Sequence, residues 1–385
     1  MLPTTTDVLI VGAGPVGLAT ATALARAGID AAIVDRVATA AHTSRAAVVH
    51  ARTLEVLDRI GAAAPLVAAG IPAERFTIRD RDRILVPVAF GALPTPYPYA
   101  LMVPQSTTEA VLTDRLTATG NSVVRGREVV GLTGTTATFV TGEQVTARYV
   151  VAADGMHSTI RRLAGIGFGG AAPGASTPGA ESFTLADVTV DGGPPRDEVV
   201  LYFSRAGMLV WAPLPDGTVR IVAAVDSPPE HPDTAYVQSL LQHRGPARAP
   251  AHVTGVVWGS RFRVHHRVAD TFRAGPVLLA GDAGHVHSPA GGQGMNLGLK
   301  DALALADALT ETLSSGSDTA LDAYAAERRP LALDVVRFAA RLTRLATVPA
   351  SARPIRNGAL SALARVPAFR TRMAYRLSGV NPCTP

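Results

Sequence analysis

The sequence predicts an α/β fold made of two interwoven domains and a helical C-terminal part. Two stretches, residues 7–17 and 275–298, each place a short apolar run before a glycine-rich turn and a helical pattern. Between them, residues 182–225 have the pattern of several short strands. Because strand, turn and helix at both ends suit one layered domain, we expect the β-rich part to be inserted into it.

The first element is a strand over residues 7–11, followed by a tight turn and an alanine-rich helix. Gly12 permits the turn, Gly14 lets backbone N–H groups reach a pyrophosphate, and Gly17 allows the helix to pack closely on the strand. Asp35 ends the next strand, where an adenosine ribose needs an acceptor. A glycine pattern alone also occurs in plain turns, but the flanking elements and Asp35 together predict a Rossmann-like dinucleotide-binding unit.

Residues 106–151 are predicted to continue the dinucleotide-binding domain, and residues 165–178 to connect it to another module. A capping box at residues 106–109 predicts a helix that ends near residue 118. Residues 123–151 alternate enough in polarity to predict strands, with a hairpin turn at residues 141–142. Glycine, proline and small residues dominate positions 165–178 and indicate a connector into a different module.

The module after the connector is rich in predicted β-structure. Four runs predict strands of an antiparallel sheet, over residues 182–190, 198–203, 208–213 and 218–225. The chain then returns to the first domain and is mostly helical after Met295. The expected interruptions of these helices are Pro330, Pro349, Pro354 and Pro367.

The glycine-rich stretch near residue 290 has the features of a flavin site. The apolar run over residues 275–280 predicts a buried strand that brings Asp282 to the carboxyl edge of the sheet, where it can accept hydrogen bonds from a chain of hydroxyls. The turn over residues 290–294 lets the backbone approach a planar ligand, and the helix near Met295 directs free N–H groups toward it. A helix N-terminus stabilises the negative charge that a reduced flavin carries near its pyrimidine edge.

Composition limits the classes of function. With 385 residues, 47% of them hydrophobic, the chain can bury a large core. The single cysteine, Cys383, and the lack of a secretory or membrane-length segment predict a cytoplasmic protein without a disulfide. The net charge of +5 comes from scattered arginines, so neither nucleic acid nor a membrane is expected as a partner. His285 and His287 lack a clear third ligand, so no metal site is expected.

A third motif lies between the two glycine-rich turns. The pattern Asp-Gly-x-x-Ser-x-x-Arg runs from Asp154 to Arg161 after a predicted strand. Together with the first glycine loop and the late Gly-Asp segment, in this order, it resembles the single-component (class A) FAD-dependent aromatic hydroxylases related to p-hydroxybenzoate hydroxylase. The stretches at residues 44–55 and 97–105 are most similar to the hydroxylases of aromatic polyketide and phenol metabolism.

The resemblance implies an FAD-dependent monooxygenase. NADPH or NADH would reduce FAD, O2 would form a flavin C4a-hydroperoxide, and its distal oxygen would pass to an electron-rich aromatic substrate. A redox-neutral or oxidase flavoenzyme, or a flavin-binding protein without turnover, would need the same FAD contacts, so these alternatives stay open. The expected units are an FAD-binding domain at residues 1–70, 100–165 and 270–345, a substrate-binding β-sheet domain at 71–99 and 166–269, and a C-terminal helical segment at 346–385.

The resemblance also implies which residues form the site. The residues expected around the ADP half of FAD are Gly12, Gly14, Pro15, Val16, Gly17, Asp35 and Arg36. Those expected around the ribityl chain and the flavin ring are Arg45, Gln105, Asp154, Gly281, Asp282, Pro289, Gly292, Gly294, Met295 and Asn296. The residues expected beside the reaction itself are Arg45, Pro289, Gly292 and Gly294.

Several assignments have a structural alternative. Arg45 could instead form a surface ion pair, and Asp154 with Arg161 could be either a charge pair near the cofactor or a buried structural pair. His287 is expected in the pocket wall. Four side chains of the β-rich module could line the cavity or belong to ordinary core, namely Tyr202, Phe203, Met208 and Trp211.

The sequence also departs from the family pattern. Gly284 stands where an alanine is common, and the thioredoxin-like domain that many polyketide hydroxylases carry is not expected after the helices, so oligomerisation through that domain is not expected. A monomer or weak homo-oligomer is expected. Residues 341–376, rich in Ala and Arg, are expected to form helices packed over the FAD-binding domain. The alternative is an amphipathic surface for a membrane or a partner.

Overall fold

The computed structural model of the protein describes residues 2–39, 46–169, 182–289 and 291–380. Up to the connector the elements are β1 (Thr5–Val11), α1 (Pro15–Arg26), β2 (Ala31–Asp35), β3 (Val48–Val49), α2 (Ala51–Asp58), α3 (Ala63–Ala69), β4 (Ile71–Ala73), β5 (Arg75–Asp80), β6 (Arg83–Ala89), β7 (Ala100–Met102), α4 (Gln105–Thr117), β8 (Val124–Arg125), β9 (Val129–Thr133), β10 (Thr136–Phe139), β11 (Gln144–Ala152) and α5 (Thr159–Leu163).

The elements after the connector are β12 (Ser182–Asp191), β13 (Glu198–Ser204), β14 (Gly207–Pro213), β15 (Val219–Ala224), α6 (Thr234–Arg244), β16 (His252–Arg263), β17 (Arg267–Val268), β18 (Arg273–Ala274), β19 (Val277–Leu279), β20 (His285–Val286), α7 (Gly294–Ser315), α8 (Thr319–Ala346), α9 (Arg353–Leu363) and α10 (Pro367–Ser378). Short 3-10 turns lie at Gly281–Ala283 and Ala350–Ala352.

The first sheet confirms the predicted nucleotide-binding layer. Its strands follow the order β18-β19-β11-β1-β2-β8, and β9 and β10 extend it beside β11. The strands β19, β11, β1, β2 and β8 run parallel, so their carboxyl ends meet at one edge. Val8, Leu9 and Ile10 are fully buried, because α-helices cover a parallel sheet of this kind. The strand that precedes Asp282 therefore ends at the same edge as the strand that precedes Gly12, with β11 between them.

The second sheet has seven strands in the order β16-β12-β15-β14-β13-β5-β6. The four predicted strands, β12 to β15, are all present and pair antiparallel with one another, as expected. β5, which precedes the connector in the sequence, joins this sheet beside β13 and pairs with it in parallel. The strand β16 and the helix α6 were not predicted; α6 covers one face of the sheet, where it packs with Tyr202 and Trp211.

Two predictions about helix ends and breaks were wrong. The N-cap of α4 is Pro104 and no side chain caps it, so Ser106 lies inside the first turn and the capping box does not form. Gln105 Nε2 donates to Glu109 Oε1 at 2.9 Å instead. Pro330 lies within α8 and does not interrupt it. A proline removes only one helical hydrogen bond, and α8 is held by buried side chains on both sides of it.

The other three prolines do mark breaks, but the helices they separate pack in an unexpected place. Pro349 precedes a 3-10 turn, while Pro354 and Pro367 lie in the first turns of α9 and α10. These two helices pack mainly against β6 of the second sheet, through buried side chains such as Leu360 and Leu377, and the end of α10 also contacts the turn before α7. The apolar faces of α9 and α10 match the apolar face that β6 leaves open. None of the helices within the described ranges is long and apolar enough to cross a membrane.

Candidate functional site

A cavity of about 690 Å³ runs from the turn between β1 and α1 to the second sheet. The expected site residues that line it are Gly12, Gly14, Pro15, Val16, Asp35, Arg36, Gln105, Asp154, Asp282, Pro289, Gly292, Gly294 and Met295. Gly17, Gly281 and Asn296 are buried behind its wall. Arg45 lies outside the described residues.

The turn after β1 has the geometry that its glycines predict. Gly12 has a φ of +105°, and a Cβ there would stand 2.3 Å from the carbonyl oxygen of Ala153. A Cβ on Gly17 would stand 1.9 Å from the carbonyl oxygen of Gly12, so only glycine lets α1 approach the strand this closely. A Cβ on Gly14 would meet nothing within 4 Å, because this residue faces the cavity. The turn is therefore tight on its inner side and open on the side where a pyrophosphate would lie.

Asp35 holds the end of β2 beside this turn. Its Oδ2 accepts a hydrogen bond from the backbone N–H of Ala13 at 2.7 Å, and its Oδ1 accepts one from Val37 at 2.8 Å. Each carboxylate oxygen can accept a second hydrogen bond, and the side chain lines the cavity. The same carboxylate can therefore orient the turn and bind a ribose hydroxyl.

Asp154 and Arg161 do not form the expected charge pair. Asp154 Oδ2 accepts hydrogen bonds from the N–H groups of Thr159 at 2.7 Å and Ile160 at 3.2 Å, at the start of α5. Arg161 donates to the carbonyl oxygens of Ala283 at 2.8 Å and Met156 at 3.0 Å. Each of the two side chains hydrogen-bonds to backbone groups and not to the other side chain. The reason is that the Asp154 carboxylate lies at the N-terminus of α5, whereas the Arg161 guanidinium lies over the turn that contains Asp282.

A buried ionic cluster, which the sequence did not indicate, supports the turn that contains Asp282 on the side away from the cavity. Asp301 of α7 accepts from the N–H of Gly281 at 3.3 Å, and its carboxylate lies 2.6 Å from His285 Nε2 and 2.7 Å from Arg328 Nε. Burial alone raises the pKa of Asp301, but the charges and hydrogen bonds of His285 and Arg328 outweigh it and lower the pKa. Asp301 therefore stays ionised and fixes the turn, while Asp282 itself is exposed toward the cavity.

The turn before α7 combines two glycines with positive φ, Gly291 at +85° and Gly292 at +63°. His50 Nε2 is 3.0 Å from the carbonyl oxygen of Gly291, and Asn296 Nδ2 donates to the carbonyl oxygen of Gly292 at 2.7 Å. Gly294, the first residue of α7, lines the cavity with Met295. The N-terminus of a long helix thus borders the cavity, close to where the sequence predicted that a helix begins.

Two histidines of the cavity wall are neutral. Burial lowers the pKa of His50 to about 4 and that of His287 to about 4. His287 Nδ1 donates to the carbonyl oxygen of Ser288 at 2.8 Å, and its ring lines the cavity as expected. His50 was missed by the sequence analysis, since a histidine before a helix has no distinctive spacing.

The end of the cavity at the second sheet is mostly apolar. The side chains there include Phe76, Phe90, Leu185, Leu201, Met208, Val210, Val222, Phe262 and Leu377. Of the four candidates weighed from sequence, Met208 lines the cavity, whereas Tyr202, Phe203 and Trp211 are buried in the cores. This wall suits a large flat apolar ligand.

Arg220 is the buried charged residue of this wall, and the sequence analysis missed it. It forms two hydrogen bonds with the carboxylate of Asp187, both at 2.8 Å, and donates to the carbonyl oxygen of Ala46 at 3.0 Å. An arginine inside the apolar run of β15 was the available signal, because a buried guanidinium needs partners. Arg220 joins the second sheet to the segment that follows Arg45.

The cavity fits FAD. Its glycine-lined end leaves an open cradle at Gly14, and Asp35 and Asp282 offer carboxylates to hydroxyl groups. Among the residues that the structure describes, the buried Oδ1 of Asp154 has no hydrogen-bond partner. The N-terminus of α7 faces the middle of the cavity, where a planar ring would meet the apolar wall. A ligand with a diphosphate, a polyhydroxyl chain and a flat ring matches this order of groups.

Comparisons with known proteins agree with this geometry. Residues 5–339 match the family model described as the FAD binding domain. The 6-methylpretetramide 4-monooxygenase of Streptomyces rimosus is 36% identical, with 96% of this chain covering 68% of that protein. The solved anhydrotetracycline hydroxylase OxyS of Streptomyces rimosus is similar with a TM-score of 0.78 and 32% identity, over 99% of this chain and 77% of that one. The Diels-Alderase PyrE3 of pyrroindomycin biosynthesis is similar with a TM-score of 0.81 and 26% identity, over 99% of this chain and 81% of that one.

Proposed function

The chain belongs to the FAD-dependent aromatic monooxygenases that carry the FAD binding domain, and we propose that it hydroxylates a multi-ring phenol of the aromatic polyketide type. The observation that carries this choice of substrate is the cavity, which joins a glycine-lined nucleotide end to a wide apolar wall. Arg220 on that wall is already bonded to Asp187 and Ala46, which favours an uncharged ring system over a small carboxylated ring.

Different residues of the cavity would bind different parts of FAD. Gly14 and the first N–H groups of α1 would bind the pyrophosphate, Asp35 the adenosine ribose, and Asp282 the ribityl hydroxyls or the pyrophosphate. The backbone from Gly292 to Met295 would lie along the flavin ring. Bound FAD, reduced by NADPH or NADH, supplies the activation of O2 that no side chain can provide. Arg45 would contact the flavin ring beside the reaction, as the family resemblance implies.

The remaining task of the protein is to orient the substrate and the flavin and to exclude water from the space between them. The positive end of α7 would stabilise negative charge on a bound flavin ring without adding a proton. The neutral rings of His50 and His287 fill the wall without bringing a competing charge into it. The apolar side chains of the second sheet hold the aromatic ring of the substrate in a dry space beside the cofactor.

The test is incorporation of labelled oxygen. Purified protein loaded with FAD is incubated with NADPH, ¹⁸O2 and a set of phenolic polyketides, and products are analysed by mass spectrometry. We expect a product that is heavier by one labelled oxygen atom, with NADPH consumed in proportion. Hydrogen peroxide without a labelled product from any phenol would contradict the proposal.

A redox-neutral reaction on the same fold is the second candidate, favoured by the similarity to PyrE3. It requires the same contacts to FAD, so the two candidates differ in stoichiometry and not in the site. A product that forms without NADPH and carries no label would support it over hydroxylation. The labelled-oxygen experiment therefore separates the two.

We also propose the finer assignments of domain, compartment and assembly. The FAD-binding domain would be residues 1–70, 100–165 and 270–345, the substrate-binding domain 71–99 and 166–269, and the C-terminal segment 346–385. The single cysteine supports a cytoplasmic location. A monomer or weak homo-oligomer is expected, and light scattering across a range of protein concentrations tests it.

A further inference from the structure

The last turn of α10 contacts both the apolar wall of the cavity and the turn before α7. The side chain of Leu377 lines the cavity and packs in the core that α10 shares with β6 of the second sheet. The backbone carbonyl oxygen of the same residue accepts a hydrogen bond from Gln293 Nε2 at 3.1 Å. The side chain of Leu377 would therefore contact a ligand in the cavity, while its backbone contacts the turn before α7.

Gln293 connects this contact to the flavin turn, by which we mean residues 291–294. It is 4% exposed and is the residue directly before α7. Its Nε2 also lies 3.3 Å from the carbonyl oxygen of Gly291, the atom that His50 Nε2 approaches at 3.0 Å. A Cβ on Gly291 would stand 3.6 Å from Leu377 Cδ2, so α10 packs directly on the turn.

These contacts form a short mechanical connection between the substrate wall and the flavin turn. Packed interiors do not deform continuously, so a shift of Leu377 must be passed to its neighbours. The turn can respond because Gly291 and Gly292 both adopt positive φ, where glycine moves at little cost. The amide of Gln293 is the polar contact that keeps the turn aligned with α10.

We propose that Gln293 is a positioning residue that couples occupancy of the cavity at Leu377 to the position of the flavin turn, and so to the rate at which bound flavin accepts hydride. This inference rests on the proposed function. Because coupling between two binding sites is reciprocal, it requires that an aromatic ligand also change the affinity for FAD.

The test compares three variants with the wild-type protein. Gln293→Leu removes the amide and keeps the size, and Leu377→Ala removes the side chain from the cavity and keeps the carbonyl oxygen. Gln238→Leu is the matched control, since Gln238 also joins two backbone groups, the carbonyl of Ala251 and the N–H of Val253, far from the flavin turn.

Two ratios are measured with 1-naphthol, 2,7-dihydroxynaphthalene and 9-phenanthrol as probes. One is the rate of anaerobic flavin reduction by NADPH with and without the probe, from stopped-flow absorbance. The other is the Kd of FAD with and without the probe, from flavin fluorescence in the absence of NADPH. For the wild type we expect the probe to change the Kd of FAD by roughly tenfold, a usual size for coupling between binding sites, and to change the rate of reduction as well. Both ratios should fall toward one in Gln293→Leu and Leu377→Ala, and stay at the wild-type value in Gln238→Leu.

The outcomes separate this proposal from the function on which it rests. The coupling is overturned if both ratios in Gln293→Leu equal those of the wild type. It is also overturned if a wild-type protein that binds a probe gives ratios of one, even when labelled oxygen enters a product. Equal losses in Gln293→Leu and Gln238→Leu also overturn it, because they would reflect general destabilisation. A wild-type protein that binds none of the three probes contradicts the proposed substrate class, and with it the coupling.

Discussion

Asn296 Oδ1 accepts a hydrogen bond from the backbone N–H of His50 at 2.7 Å, between residues 246 positions apart in the chain. Its Nδ2 donates to the carbonyl oxygens of Val48 at 2.9 Å and Gly292 at 2.7 Å. One buried amide thus joins β3, the flavin turn and the first turn of α7. The sequence placed Asn296 beside the flavin, whereas the structure places it behind the turn that faces the cavity.

Replacement of Asn296 should destabilise the protein through this junction. Asn296→Ala leaves one N–H and two carbonyl groups without their partner, and we expect the free energy of unfolding to fall by about 3 kcal/mol. Urea unfolding of the FAD-free protein measures it. Asn121→Ala is the control, because Asn121 is exposed and bonds only to nearby Thr119. A loss no larger than that of the control would mean that the junction carries little stability.

Asp282 should matter for the cofactor and not for the fold. Asp282→Ala removes a charged acceptor worth about 1.5–3 kcal/mol, so the Kd of FAD should rise by roughly tenfold to a hundredfold. The melting temperature of the FAD-free protein should change little, since the side chain is exposed in the cavity. Asp307→Ala, which removes an exposed carboxylate paired with Arg59 on the outer face of α7, is the matched control. An unchanged FAD titration would remove Asp282 from the site.

Replacement of Gly14 and of Gly17 by alanine should affect different properties, namely FAD binding for Gly14 and stability for Gly17. In Gly14→Ala the new methyl group meets no protein atom within 4 Å, so the FAD-free protein should keep its stability while FAD binds more weakly. In Gly17→Ala the methyl group would stand 1.9 Å from the carbonyl oxygen of Gly12, so the protein should lose stability with or without FAD. Thermal unfolding and FAD titration of both variants test this contrast, which fails if Gly14→Ala unfolds as readily as Gly17→Ala.

The neutral state of His50 should make stability depend on pH. Its pKa is lowered from 6.5 to about 4, first by burial, with Lys300 acting in the same direction. The unfolded chain therefore binds the proton more readily, so this contribution is complete above about pH 6.5 and is lost as the pH falls toward 4. Between pH 7 and pH 5 we expect a loss of about 2 kcal/mol from this residue.

The measurement is urea unfolding of the FAD-free protein at pH 7 and at pH 5, for the wild type and for His50→Gln. The variant should be less stable at both pH values but should lose about 2 kcal/mol less between them, because glutamine takes up no proton. An equal loss in both proteins would assign the pH dependence to other groups.

Local spacing was enough to predict the elements around the site. Gly12, Gly14 and Gly17 determine a tight turn through backbone geometry and close approach, and these constraints act within a few residues. The same holds for the late turn before α7. The resemblance carried by these motifs gave the family, and the family model and the relatives confirm it.

The direction of long side chains was harder to predict. Asp154 and Arg161 are close in sequence, and the expected pair was wrong because the N–H groups of α5 and the carbonyl group of Ala283 are better partners. The packing of α9 and α10 on β6 was also missed, since an apolar helix face does not specify which apolar surface covers it.

By itself the sequence determined the glycine-rich turns, four strands of the second sheet and the family, because each depends on short-range pattern. Only the tertiary structure decided that Asn296 supports the flavin turn, that Asp301 fixes the Asp282 turn, and that Leu377 reaches the cavity. The partners of these residues lie in distant segments. A buried polar group or a cavity wall is defined by which segments meet in space, and that follows from packing of the whole chain and not from local spacing.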